Sequence, residues 1–316
     1  MARRRGRAGA AWCDRAGLAG PSGWGAVRAQ GGRIPRATRG RLLEAQEALV
    51  GRRRAAGVRM PALHRGRTGD LAQPGPGGTW LRVYDWMDAG PADLASPETA
   101  GAVGALLARL HRGAPTLTSE VDGTPPDPWF EVPPTAADLE TLAGDAAAAG
   151  VSWAGRLADR LRDVPGLLDI VRPVDPARLV LCHRDLHPGN VLLDETGGLV
   201  VLDPDDVGPA DPVRELGRAL FDFWSDPTPD LELMDAAYRA YVVAGGPARL
   251  RRPGDLTMLV AQRLNFLARQ VEVALDPTAS ADDRAWADQE IDEALRILPT
   301  RAQVDEVLGA LAAPTT

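Results

Sequence analysis

The stretch Leu181-Cys-His-Arg-Asp-Leu-His-Pro-Gly-Asn190 constrains this chain more than any other. It is followed by the apolar runs Val191–Leu193 and Leu199–Leu202 and then by Asp203-Pro-Asp-Asp206. Polar, acid-bearing segments alternate here with short runs suited to buried strands, and burying their ionisable groups without partners would be costly. The charged residues therefore belong at strand ends, where rigid elements hold functional side chains. Asp194-Glu-Thr-Gly-Gly198 predicts a tight hairpin between the two runs. Paired strands lie roughly 5 Å apart, so the hairpin would bring Asn190 and Asp203 side by side. Asp185, Asn190 and Asp203 offer two carboxylates and one amide oxygen, hard donors of the kind Mg²⁺ selects. An oxygen-only cluster with open coordination positions is what a Mg²⁺-nucleotide requires.

The surrounding pattern predicts an α+β chain. Residues 41–50 read as a helix ending near Gly51, with Met60-Pro61 opening an extended piece and residues 66–78 forming a hairpin loop. Trp80–Tyr84 alternates as a strand, and Asp85–Gly90 reads as a turn and linker. Ala100–His111 is an amphipathic helix. A Pro-rich loop at 113–135 carries Asp127-Pro-Trp-Phe130, and helices are expected at 136–148 and 151–164 and from Val213 onward, with breaks at 225–230, 244–254 and 276–282. Three units follow: an atypical segment 1–40, a small β-containing part 41–88, and a larger helical part 89–316.

Composition excludes several classes. The chain is 316 residues with net charge −7, which argues against a nucleic-acid partner. It has no apolar run of 18 residues, so no membrane span is expected, and no apolar signal core follows the Arg-rich start. Cys13 and Cys182 read as reduced thiols, and a cytoplasmic location is expected. All 36 basic residues are arginine. Residues 1–40 carry nine arginines against Asp14 alone, a local charge of +8 that leaves −15 for the rest. Within that segment Arg, Gly and Ala fill 27 of 40 positions, which reads either as a glycine-rich nucleotide-covering segment or as an arm outside the fold.

His183-x-Asp185-x4-Asn190 followed by a hairpin and Asp203 resembles the catalytic core of the protein-kinase-like superfamily. The wording is most similar to that of aminoglycoside phosphotransferases and choline-kinase-like proteins. Gly208-Pro-Ala-Asp-Pro212 and Glu215-Leu216 extend the likeness, which spans about residues 41–300. The resemblance implies a two-lobed, protein-kinase-like fold with a small, incomplete N-terminal lobe and a mostly helical C-terminal lobe. It implies transfer of the γ-phosphoryl of Mg-ATP or Mg-GTP to a hydroxyl of a small molecule such as an aminoglycoside, choline or another metabolite. Asp185 would be the catalytic aspartate, Asn190 and Asp203 the metal ligands, and His183 a structural brace. Tyr84, Asp85, Trp86 and Met87 would form the hinge that pairs with the nucleobase, and Glu44, or Glu47, would orient a phosphate-binding cation. Asp205, Asp206, Asp211, Trp129 and Phe130 are candidates to line the acceptor pocket.

The pattern breaks twice. No lysine exists to bind phosphate, and Arg28, 16 residues before Glu44, is the substitute the sequence offers. Pro204 stands where an aromatic residue is usual. A protein kinase would carry Asp-Phe-Gly, Ala-Pro-Glu and a lysine two residues after the aspartate, whereas His187 fills that last position. Two other readings stay open: a kinase-like ligand-binding protein that transfers little phosphate, and a metallohydrolase built on His183, Asp185 and His187 with His64 and His111. The sequence leaves oligomeric state undetermined.

Overall fold

The computed structural model describes residues 24–27, 36–74, 80–112, 114 and 126–312. Its smaller lobe centres on a three-stranded antiparallel sheet. Strand β5 (Val83–Asp85) runs between β1 (Trp24–Val27) and β2 (Leu63–His64), with Tyr84 opposite Gly25 on one side and Leu63 on the other. A second pair joins β3 (Gln73–Pro74) to β4 (Trp80–Leu81). Helix α1 (Arg36–Ala55) packs beside them. It overruns the expected stop at Gly51, because Arg52, Arg53 and Arg54 favour the negative end of the helix dipole. The Arg53 Nη1 also reaches the Arg112 carbonyl at 3.0 Å. Those gains outweigh the roughly 1 kcal/mol cost of an interior glycine. Gly57, at φ +79°, lies in the turn beyond the helix.

The chain then enters the larger lobe. Residues 89–91, expected as linker, instead form β6 (Ala89–Pro91), which pairs with β8 (Val191–Asp194). Strand β8 turns through Gly197 (φ +78°) into β9 (Leu199–Val201), with Val191 opposite Val201. A further pair joins β7 (Val180–Cys182) to β10 (Gly208–Ala210).

The helices are α2 (Pro97–His111), α3 (Pro128–Glu131), α4 (Ala136–Ala149), α5 (Ala154–Arg160), α6 (Val164–Leu168), α7 (Pro212–Trp224), α8 (Leu231–Val243), α9 (Thr257–Leu275), α10 (Ala281–Ile297) and α11 (Arg301–Ala312). Cap chemistry fixes their starts: the Ser96, Asp127, Thr135, Asp211, Asp230 and Ser280 side chains each accept a first-turn N–H. Helix α7 is buried along almost its whole length and anchors the main core through Leu216, Leu220 and Phe221, against Met234 and Tyr241 of α8 and Leu259 and Leu264 of α9. Helices α2 and α8 pack backbone to backbone: a Cβ on Gly104 would lie 2.8 Å from the Ala237 carbonyl carbon. Among the described residues no helix is long and apolar enough to cross a membrane.

Candidate active site

Strand β7 delivers His183–Asn190 to the edge of the helical lobe, and β9 delivers Asp203 beside them. One residue, Leu202, ties the two loops together through its backbone. His183 Nε2 donates to the Leu202 carbonyl at 2.9 Å, and the Leu202 N–H donates to the Asn190 carbonyl at 2.8 Å. His183 is 3% exposed and acts here as a brace between loops.

Arg184 sits in the left-handed region at φ +64°, a conformation that costs a non-glycine residue about 1–3 kcal/mol. Its surroundings over-determine it. The Arg184 N–H donates to Glu215 Oε1, its carbonyl accepts from Arg218 Nη1, and its own Nε donates to the Asp206 carbonyl at 2.5 Å. The guanidinium lies 4.5 Å from the centre of the Phe130 ring. Behind Glu215 stands His111 Nε2, 2.6 Å from Oε2, and behind that Tyr241, whose hydroxyl is 2.9 Å from His111 Nδ1 and accepts from Ala248 N. Burial pushes the Glu215 carboxyl up, but the His111 ring and the Arg184 N–H outweigh it and hold the group ionised.

This scaffold presents Asp185. Arg218 Nη2, buried on α7, donates to its Oδ1 at 2.8 Å, and Asn190 Nδ2 donates to its Oδ2 at 2.8 Å and to its carbonyl at 3.0 Å. His187 Nε2 stands 3.6 Å from Oδ2, while the Gly189 N–H donates to His187 Nδ1 at 3.2 Å. Burial alone would raise the Asp185 carboxyl; His187 and Arg218 override it and drive the group far below the usual carboxylate range. Arg218 is held in turn by Asp222, at 3.0 Å, which also pairs with Arg263 of α9 at 2.9 Å. A chain of buried alternating charges thus fixes the carboxylate, and removing one member would leave its neighbour uncompensated.

Because Asn190 donates through Nδ2, its Oδ1 is the atom suited to a cation, and it lies at the mouth of the hairpin with Asp203. Asp203 is buried at φ +53°, a left-handed conformation that Asp tolerates, and Pro204 fixes the turn after it. These oxygen donors fit a hard divalent ion. Asp206 reaches the surface, yet its carboxyl is pushed up to about 6, chiefly by lost hydration and then by the Asp185 and Asp203 charges.

Other expected site residues fall elsewhere. Tyr84 and Asp85 belong to the central strand, with backbone partners on both sides, and Asp85 also holds Ala62 N and His64. Trp86, 48% exposed, and Met87 follow the strand. Glu44 lies at the surface in a two-armed pair with Arg65, because Gln46 is the α1 residue that turns inward, to the Asp205 carbonyl. The Asp205 carboxylate is engaged within the protein: Arg82 holds its Oδ2 and the Tyr84 hydroxyl its Oδ1. Asp211 caps α7 and pairs with Arg178 beside a separate cavity of about 470 Å³. Phe130 is core, packed with Cys182, Ala210 and Met258, whereas Trp129 is half-buried next to it. Arg28 lies outside the described residues.

The four histidines do not converge, which removes the metallohydrolase reading: His64 bonds Asp85, His111 bonds Glu215, His183 bonds a carbonyl, and His187 alone faces Asp185. Among the described residues His111, Cys182 and Glu215 bring ligand atoms within 4.8 Å of one another, but all three are buried and already engaged, His111 and Glu215 with each other behind Arg184 and the Cys182 thiol with the Ala210 carbonyl.

Sequence reasoning missed Arg218, Glu215 as the partner of the Arg184 N–H, and Arg82. Each lies far from the motif along the chain, and only a buried arginine or acid inside an apolar helix hinted at the first two.

No curated protein matches the chain. Among solved structures, the fold is similar to that of an aminoglycoside phosphotransferase from Alicyclobacillus acidocaldarius (TM-score 0.57, 14% identity, covering 98% of this chain and 97% of that one). It is also similar to a spectinomycin phosphotransferase in complex with ADP and spectinomycin (0.57, 14%, 94% and 91%) and to a microcompartment-associated aminopropanol kinase (0.57, 20%, 90% and 86%). These likenesses show a two-lobed, protein-kinase-like α+β fold. The model of the phosphotransferase enzyme family matches residues 32–253, a range that includes His183–Asp206 and α8, and the chain therefore belongs to that family.

Proposed function

We propose that this protein transfers the γ-phosphoryl of Mg-ATP or Mg-GTP to a hydroxyl of a small-molecule acceptor. The observation that carries the reading is Asp185: an ionised carboxylate clamped by Arg218 and Asn190, beside Asp203 at the hairpin mouth. Asn190 Oδ1 and Asp203 would hold the magnesium ion, which when bound neutralises phosphate charge. Asp185 orients the acceptor hydroxyl and takes its proton as the new P–O bond forms and the bond to the nucleoside diphosphate breaks. Its low basicity suits a loose transition state, in which the proton leaves late and positioning supplies most of the catalysis. Trp86 and Met87 would meet the base. Asp206 and Trp129, with Asp127 close by, would face an acceptor carrying amines or several hydroxyls, a chemistry shared with the spectinomycin, choline or ethanolamine, and aminopropanol named for its structural neighbours. The cytoplasm, where ATP and reduced thiols coexist, is the matching compartment.

Calorimetry of ATP and GTP with and without Mg²⁺ tests the reading. Metal-dependent binding that is lost in Asp203→Asn supports it, and no binding by the folded chain refutes it. With an acceptor in hand, Asp185→Asn should keep nucleotide binding while turnover falls on the order of 10²–10⁴-fold. The absence of lysine keeps one rival in view, a ligand-binding protein with little transfer; tight ATP binding without turnover across amine-bearing alcohols would favour it.

A further inference from the structure

A nucleoside triphosphate is strongly anionic, and the turn that would meet it carries Asp203, Asp205 and Asp206 in a chain without a lysine. The cations nearest Asp185 are already committed: Arg218 to Asp185, Asp222 and the Arg184 carbonyl, and Arg184 to the Asp206 carbonyl and the Phe130 face. In the small lobe, Arg65 pairs with Glu44 at the surface and Arg53 holds the Arg112 carbonyl.

Arg82 differs from all of these. It sits between β4 and β5, is 5% exposed, and sends Nη2 to Asp205 Oδ2 at 2.5 Å. Among the described residues that carboxylate is the hydrogen-bond partner of its guanidinium. The Tyr84 hydroxyl donates to Asp205 Oδ1 at 3.2 Å and Gln46 Nε2 to the Asp205 carbonyl at 2.7 Å. Through Asp205 the guanidinium is tied to the turn that begins at Asp203, two residues earlier. A guanidinium carries five N–H donors in a fork that matches phosphate oxygens, so a pair made through one arm can be shared with, or surrendered to, a second anion.

We infer that Arg82 is the phosphate-binding cation of this chain, held in place by Asp205 until nucleotide phosphates engage it. The inference rests on the nucleotide site proposed above, and it assigns to the hinge strand a role that the sequence pattern had given to Arg28.

The experiment is calorimetry of ATP, ADP and AMP, with Mg²⁺, on the full chain and on Arg82→Gln, Arg82→Lys and Asp205→Asn, with circular dichroism as the folding control. Arg82→Gln should weaken ATP and ADP by roughly tenfold or more while AMP changes far less, and Arg82→Lys should recover part of the loss. Asp205→Asn breaks the pair but keeps the cation, so it should bind ATP at least as tightly as the unaltered chain. Unchanged ATP affinity in Arg82→Gln overturns the inference. So does an equal loss for all three nucleotides, or a loss in Asp205→Asn matching that in Arg82→Gln; either would make the pair a purely structural latch. An unaltered chain that binds no nucleotide overturns the proposed function, and the inference with it.

Discussion

Asp206 makes a prediction through its proton. Its carboxyl is raised from an ordinary 3.8 to about 6 by lost hydration and by the Asp185 and Asp203 charges. Between those two values the native chain holds a proton that the unfolded chain has released, so this group makes stability fall as pH rises through the window from about 4 to 6. Denaturant unfolding in chelator across that window should show the decline, and Asp206→Asn should flatten it; an unaltered slope would mean that the carboxyl titrates normally. The placement of Asn190 and Asp203 was legible because spacing encodes it: the hairpin pairs Val191 with Val201 and so sets Asn190 against the Leu202–Asp203 step. Their partners were not. Glu44 and Gln46 are two positions apart on one helix, and which of them turns inward depends on how α1 rolls against the Asp205 turn, a tertiary fact with no local signature. Arg218 lies 33 residues from Asp185 and reads in sequence as an ordinary charge on an amphipathic helix.

The elements were legible in proportion to their periodicity. Helix α2 and the breaks that bound α7, α8 and α9 follow the apolar pattern and its punctuation, and the hairpin of β8 and β9 follows from Gly197-Gly198. Strand β10 did not, because Gly208-Pro-Ala210 has poor strand propensity and pairs with β7 only through the tertiary context. Helix α1 outran its glycine because tertiary anchoring of Arg53 overrides local cost. Close approach of α2 and α8 is a second such fact: Gly104 stands where a side chain would meet the Ala237 carbonyl. Gly104→Ala should gain helix propensity yet lose about 1–3 kcal/mol through overpacking, lowering the thermal midpoint; a stabilised variant would show that the two helices can slide apart.

At the scale of the molecule, apolar burial is unevenly shared. The small lobe's own cluster is Leu43, Leu63, Leu71, Ala72 and Tyr84, whereas the main core runs through α2, α7, α8, α9 and α11. Native-state hydrogen exchange should therefore show β2 and β5 amides opening below the global unfolding free energy, with α7 and α9 amides exchanging only through it; uniform protection would contradict the division. Leu202, gripped by His183 at its carbonyl and by Asn190 at its N–H, gives this asymmetry a meaning. The loops that carry Asp185 and Asp203 are cast as one piece with the better-packed lobe. Residues 127–131 are built into the same casting, Phe130 under the Arg184 guanidinium and Glu131 paired with Arg214, so a change there is transmitted to the loop that carries Asp185.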